Sequence, residues 1–151
     1  MEKEKNNYKT FGITLTISFV IMYAVMFFNV DKLDHIYLST TRLYMTLLMV
    51  APMALVMLGM MRKMYQDKKL NTIISISAVV VLIGAFVLLR TQTPIGDVQY
   101  MKAMIPHHSS AILTSQEATI TDPEVRKLAD EIIKAQKEEI AEMKRLLDKL
   151  N

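Results

Sequence analysis

Three long apolar runs occupy the first ninety positions of the chain, and two helical patterns of mixed character occupy the last sixty. Phe11 to Val30 is a run of twenty residues without a charge, and about 20 apolar residues suffice for a helix to cross a bilayer. A cleaved signal peptide would need a shorter apolar core and small residues at a cleavage site. Phe27-Phe28-Asn29-Val30-Asp31 offers none, so the run reads as an uncleaved first span over 11–30. Leu43 to Met61, with Pro52 and Gly59 inside it, reads as a second span, and Ile73 to Leu89 as a third. Proline is tolerated in a membrane helix and bends it. The pattern therefore predicts a membrane domain over 1–90.

The links between these runs set an orientation. The N-terminal tail carries Lys3, Lys5 and Lys9, and the second link, 62–69, carries Arg62, Lys63, Lys68 and Lys69. The first link, 31–42, has only Lys32 and Arg42, balanced by Asp31 and Asp34. Basic residues stay on the cytoplasmic side. The tail and the second link are thus predicted to be cytoplasmic, and His35 and everything after Arg90 to lie outside, across a bacterial inner or plasma membrane. Positive charge is concentrated in 1–90, with ten basic against five acidic residues; 91–151 has eight against ten. Basic residues flanking apolar runs are a topology signal rather than a nucleic-acid footprint, and no nucleic-acid partner is expected.

Beyond a short linker, Pro94 suits the first turn of a helix running to about Ala118. Thr121-Asp122-Pro123-Glu124 reads as a capping box opening a second helix to about Leu150. Val125, Leu128, Ala129, Ile132, Ile140, Leu147 and Leu150 define its apolar face. Lys127/Glu131, Asp130/Lys134, Lys134/Glu138 and Lys144/Asp148 are spaced for ion pairs on the other. The two make a helical hairpin over 91–151. The expected fold is all-α, three transmembrane helices followed by an extracytoplasmic hairpin.

The candidate chemistry lies in that hairpin. Gln136, Glu139 and Met143 fall within about 40° of the middle of the last helix's apolar face. A buried glutamine and glutamate need partners: either a backbone carbonyl and a lysine, or a metal site. On the preceding helix Asp97, Met101, Met104, His108 and Ser115 share one side, within about 60°. His107 points about 100° away from His108 on a regular helix, unless Pro106 loosens the turn. The two helices are thus ordinary packing around a histidine pair, or they enclose a metal. There is no cysteine, which excludes disulfides and thiolate sites. Thioether and imidazole donors suit copper, Cu(I) before Cu(II). Neither a Glu-x-x-His di-iron motif nor a His-Glu-x-x-His zinc motif is present.

Met104-Ile105-Pro106-His107-His108, Ala111-Ile112, Leu128-Ala129, Ile132, Gln136, Glu139-Ile140 and Met143 together resemble the signature of domain-of-unknown-function family 305. The resemblance covers roughly Asp97 to Leu150. It implies a ferritin-like helical fold and kinship with periplasmic copper-binding proteins of the CopM type. It further implies Met104, His107, His108 and Met143 as metal ligands, with Glu139 and Asp97 supporting them and Met101 and Gln136 nearby. Ser115 stands where the family commonly has methionine. One hairpin is half of a four-helix bundle, so a homodimer is expected.

Thirteen methionines are many for this length. Met45, Met49, Met53, Met57, Met60, Met61 and Met64 fall on an arc of about 160° of the second span; Met22 and Met26 repeat the spacing in the first. Such a stripe is adaptable packing or a thioether path for Cu(I), with His35 at its outer mouth. The leading function is a membrane-anchored copper-binding protein for metal tolerance or delivery, with lipid and metal ion as partners. The alternative is a copper transporter or a subunit of one. An enzyme with His107 or His108 as base lacks a convincing nucleophile, Ser109 and Ser110 being the nearest hydroxyls.

Overall fold

A computed structural model describes residues 2–150; the side chains of 2–5, with the tail lysines Lys3 and Lys5, lie outside the described set. Five α-helices follow one another: α1 (Glu2–Val25), α2 (Thr40–Met60), α3 (Lys68–Thr91), α4 (Asp97–Glu117) and α5 (Pro123–Leu150). A single 3-10 turn, Leu33–His35, lies between α1 and α2, and the described residues contain no strand. The chain divides into two compact units. One holds α1, α2 and α3; the other joins the segment 26–40 to α4 and α5. The first link therefore belongs with the C-terminal helices, not with the apolar runs it connects in sequence.

In the first unit, Asn6–Val25, Thr40–Met60 and Lys68–Thr91 are long and apolar enough to cross a membrane. Their contacts use small residues: Ala51, Ala54, Ala78 and Ala85 are buried, while Val20, Val56, Ile76 and Val80 are exposed. Small side chains let helix backbones approach closely where lipid tails are as apolar as leucine. At one end Tyr8, Phe11 and Tyr65 close the contact, Phe11 and Tyr65 meeting edge to face at 5.4 Å. The Tyr8 hydroxyl is 2.8 Å from Asn71 Oδ1. The first helix stops at Val25, five residues short of the apolar run's end. Phe27 turns inward instead, and Asn29 and Asp31 bond to α4. Contact within the second unit thus overrides an uninterrupted hydropathy signal. The α2 helix continues through Pro52.

The caps explain the other boundaries. Asp67 Oδ1 accepts the Leu70 N–H at 2.9 Å and opens α3. Pro94 stands outside α4, which begins after Gly96. At α5 the cap is Asp122 alone, its Oδ1 accepting the N–H groups of Glu124 and Val125 at 2.9 and 3.0 Å. Thr121 does not form the expected reciprocal box, because Pro123 in the first helical position makes Asp122 the capping residue.

Helices α4 and α5 share one apolar seam of Met101, Ile105 and Ile112 against Ile140, Met143 and Leu147, flanked by Tyr37, Met104, Ile133 and Leu146. Arg126 donates to the Ser115 carbonyl near one end of the pair, and His108 meets Glu139 near the middle, so the helices run in opposite directions. The buried stripe of α5 is turned by about 30° from the face read in sequence. Ile133 packs against the seam and Ala129 is buried, whereas Val125, Leu128 and Leu150 are exposed. The ion pairs on α5 also differ from those expected. Arg126 pairs with Asp130 at 2.8 Å, Arg145 with Glu142 at 2.6 Å, and Lys144 reaches Asp34 at 2.6 Å rather than Asp148.

Candidate metal centre

Helix α4 runs unbroken through Pro106, so the two histidines keep the divergence of a regular helix. His108 turns into the seam, its side chain 14% exposed. His107 faces outward, its ring centroid 6.0 Å from that of His108 at 59°. His108 Nδ1 lies 3.0 Å from Glu139 Oε2. The approach has ion-pair distance without hydrogen-bond alignment, and Nδ1 is buried with no hydrogen-bond partner. Glu139 is 53% exposed, at the edge of the buried stripe rather than within it, which follows from the rotation of α5. Burial holds the His108 pKa below its ordinary 6.5, against the opposing pull of Glu139. The imidazole is therefore neutral at neutral pH, and Glu139 beside Nδ1 favours the tautomer that leaves the lone pair on Nε2.

The register set by His108 and Glu139 carries along the antiparallel pair. One turn before His108 and one turn after Glu139, it sets Met104 opposite Met143, both in the same seam. Met143 is buried and Met104 half-buried. Gln136 is half-buried a turn before Glu139. Met101 is fully within the core, about 10 Å along the axis from His108, and the exposed Asp97 is about 16 Å away. Among the described residues no three or more His, Asp or Glu side chains gather as a metal-binding group. The side chains that do come together are one imidazole, one carboxylate and two thioethers.

A second cluster, unread in the sequence, backs this helix. Ser109 is fully buried. Its Oγ accepts the Asp31 N–H at 2.7 Å and lies 2.8 Å from His35 Nδ1. On the other side of the ring, His35 Nε2 lies 3.9 Å from Asp34 Oδ1. Asn29 donates to Ser110 Oγ at 2.7 Å. His35 is buried, not solvated, and its pKa is lowered by that burial. Ser109 has no exposed surface from which to act as a nucleophile. The available signal was weak: five polar residues in an otherwise apolar surround, 29–35, with no partner legible in their own neighbourhood.

Of the methionines in the α2 stripe, Met60, Met61 and Met64 line one pocket at the end of the helix, and Met53 is half-buried. Met45, Met49 and Met60 are exposed, Met57 packs on the helix contact, and Met61 and Met64 lie beyond the helix end. The apolar groove of about 540 Å³ in this unit is lined on α2 by Leu47, Val50, Ala51 and Ala54, with no methionine.

A family profile described as "Domain of unknown function (DUF305)" matches residues 97–151. An uncharacterized protein, L153, of Acanthamoeba polyphaga mimivirus is 37% identical over 134 residues, 87% of this chain and 86% of that protein. The similarity thus extends well beyond the C-terminal helices into the apolar ones. No solved structure matches the chain.

Proposed function

The chain belongs to the DUF305 family, and from that premise we propose that it is a membrane-anchored protein whose C-terminal unit binds copper, in metal tolerance or delivery. One observation carries the reading: Met104 stands opposite Met143 one turn from the His108–Glu139 contact, which turns the half-buried imidazole into the same seam with its Nδ1 toward the carboxylate. Two thioethers and an imidazole are a soft set that favours Cu(I) over Zn(II). Met104, Met143 and His108 Nε2 would hold the ion, and His107 would serve at the outer edge. Glu139 would orient the His108 ring and offset the cation's charge, as carboxylates do beside ligating histidines. Such a bound ion would be cargo, passed on or sequestered. Burial disfavours the charged imidazole, and the exposed Glu139 side is where an ion would enter.

The three apolar helices would cross an inner or plasma membrane with the tail inside and α4 and α5 outside, following the basic-residue asymmetry. Helices α4 and α5 would form half of a ferritin-like bundle completed by a second copy. The exposed Val125 and Leu128 support this, since apolar residues patterned for a core are left uncovered in one chain.

The test is competition with a Cu(I) chelator, using the full chain in detergent or lipid. The Met104→Leu/Met143→Leu variant keeps volume and apolar character, at a cost under about 1.5 kcal/mol. Circular dichroism should show unchanged helix content while Cu(I) affinity falls by orders of magnitude. His108→Ala should lose more affinity than His107→Ala, and Glu139→Gln should lose about 10–100-fold. A folded double mutant that binds Cu(I) as tightly as the parent would show these methionines to be packing only.

A further inference from the structure

The segment between α1 and α2 has two faces of opposite standing. One is fastened to the C-terminal helices. Phe27, His35 and Ser39 are buried, and Tyr37 packs on the α4–α5 core. Asn29 and Asp31 bond Ser110 and Ser109, and the Thr40 N–H donates to Gln99 Oε1 at 3.0 Å. The other face is apolar and bare: Phe28 is 80% exposed, Leu33 83% and Leu38 69%, with Ile36 beside them. From His35 to Ser39 the two faces alternate residue by residue, as in an extended chain. The fastened face prevents the bare one from turning inward, and Phe28, Leu33 and Leu38 stay exposed within their own unit.

Chain connectivity says what does. The segment begins directly after Val25 and ends directly before Thr40, and both flanking helices are long and apolar enough to cross a membrane. Fourteen residues that join two spans cannot leave the bilayer surface by far. Its charges are few: Asp31, Lys32 and Asp34. Asp34 is bound by Lys144, and Lys32 is long enough to lay its stem along apolar surroundings while its ammonium stays in water. Phe and Leu side chains on one face of an ordered segment suit the boundary between headgroups and acyl chains.

We propose that Phe28, Leu33, Ile36 and Leu38 are seated in the interfacial layer of the lipid bilayer, and that this segment holds the helix bearing His107 and His108 at the membrane surface through Ser109 and Ser110. The inference rests on the membrane-spanning reading of α1 and α2; it does not depend on copper.

The chain has no tryptophan, so single substitutions give unambiguous fluorescence. Leu33→Trp and Leu38→Trp, at exposed positions, are placed separately in the full chain in phosphatidylcholine vesicles. Val80→Trp on the exposed side of α3 and Glu138→Trp on the outer side of α5 serve as references. Emission from Leu33→Trp and Leu38→Trp should be blue-shifted and mostly lost when the lipids carry bromine near the glycerol end of their chains. Val80→Trp should be quenched best by bromine deep in the chains, and Glu138→Trp by neither. Water-like, unquenched emission from the two segment variants, with Val80→Trp still quenched, overturns the proposal and leaves the spans intact. A blue shift without quenching shows protein on this face and overturns it equally. Quenching of Glu138→Trp to the same degree would make the signal unspecific and remove its support. If Val80→Trp is not quenched, the spanning reading itself fails, and this inference with it.

Discussion

Ser109 shows how much one small side chain can hold. Its hydroxyl satisfies His35 and the Asp31 N–H at once, with no exposure to water. Removing it leaves the buried His35 Nδ1 and the part-buried Asp31 N–H without this partner, and an unsatisfied buried group costs about 1–3 kcal/mol. Ser109→Ala should therefore lower the midpoint of urea or thermal unfolding by that order, measured on the C-terminal unit's own transition. Acid should act on the same unit. Burial lowers the pKa of both His35 and His108 from the ordinary 6.5. Below pH 6.5 the unfolded chain then takes up protons that the folded one refuses. Stability from this source is complete above pH 6.5 and declines as pH falls below it. The charged groups around His35 divide: Asp34 and Asp31 oppose the shift, Lys144 and Lys32 reinforce it. The unfolding midpoint of the parent should drop between pH 7.5 and 5.5, and a His35→Gln/His108→Gln variant should lose most of that slope. Asp34, whose pKa is lowered mainly by its bond to Lys144, adds a separate loss only below about its ordinary 3.8.

Among the helices, α5 is the one whose limits depend on a single side chain. Asp122 supplies two of the bonds that its first turn lacks, and Pro123 presets the backbone angle that follows. Asp122→Ala should cost about 1 kcal/mol, within a usual range of about 0.5–2; a melt of the variant unchanged from the parent would place the cap elsewhere. The same helix shows where periodicity misleads. Its apolar positions span more than one partner can cover, so the seam with α4 takes up Ile140, Met143 and Leu147 and leaves Val125 and Leu128 outside. Glu139 moves to the rim as a consequence, where it can meet both His108 and water.

For the molecule as a whole, the absence of cysteine permits one experiment on sidedness and assembly together. Leu128→Cys places a lone thiol on the uncovered side of α5. A membrane-impermeant bis-maleimide added to intact cells should join two copies through it. Reaction only after permeabilisation would reverse the proposed topology, and single-ended labelling without cross-linked dimers would count against a second copy at this face.

Local physics made much of this chain legible from sequence. Runs of about twenty uncharged residues leave little choice but long apolar helices, and the 3.6-residue spacing of 123–150 together with Pro123 set α5 to its observed limits. The chain's DUF305 character was likewise readable in the short spacing from Met104 to His108 and from Gln136 to Met143, and the divergence of His107 and His108 follows from helix geometry alone. Tertiary structure decided the rest. It ended α1 at Val25, because Asn29 and Asp31 found partners eighty residues away that no local window contains. It buried His35 against Ser109, turned α5 to choose among its apolar positions, and drew Lys144 from its own helix to Asp34. In each case the deciding energy belongs to a pair distant in sequence, and only the folded chain brings that pair together.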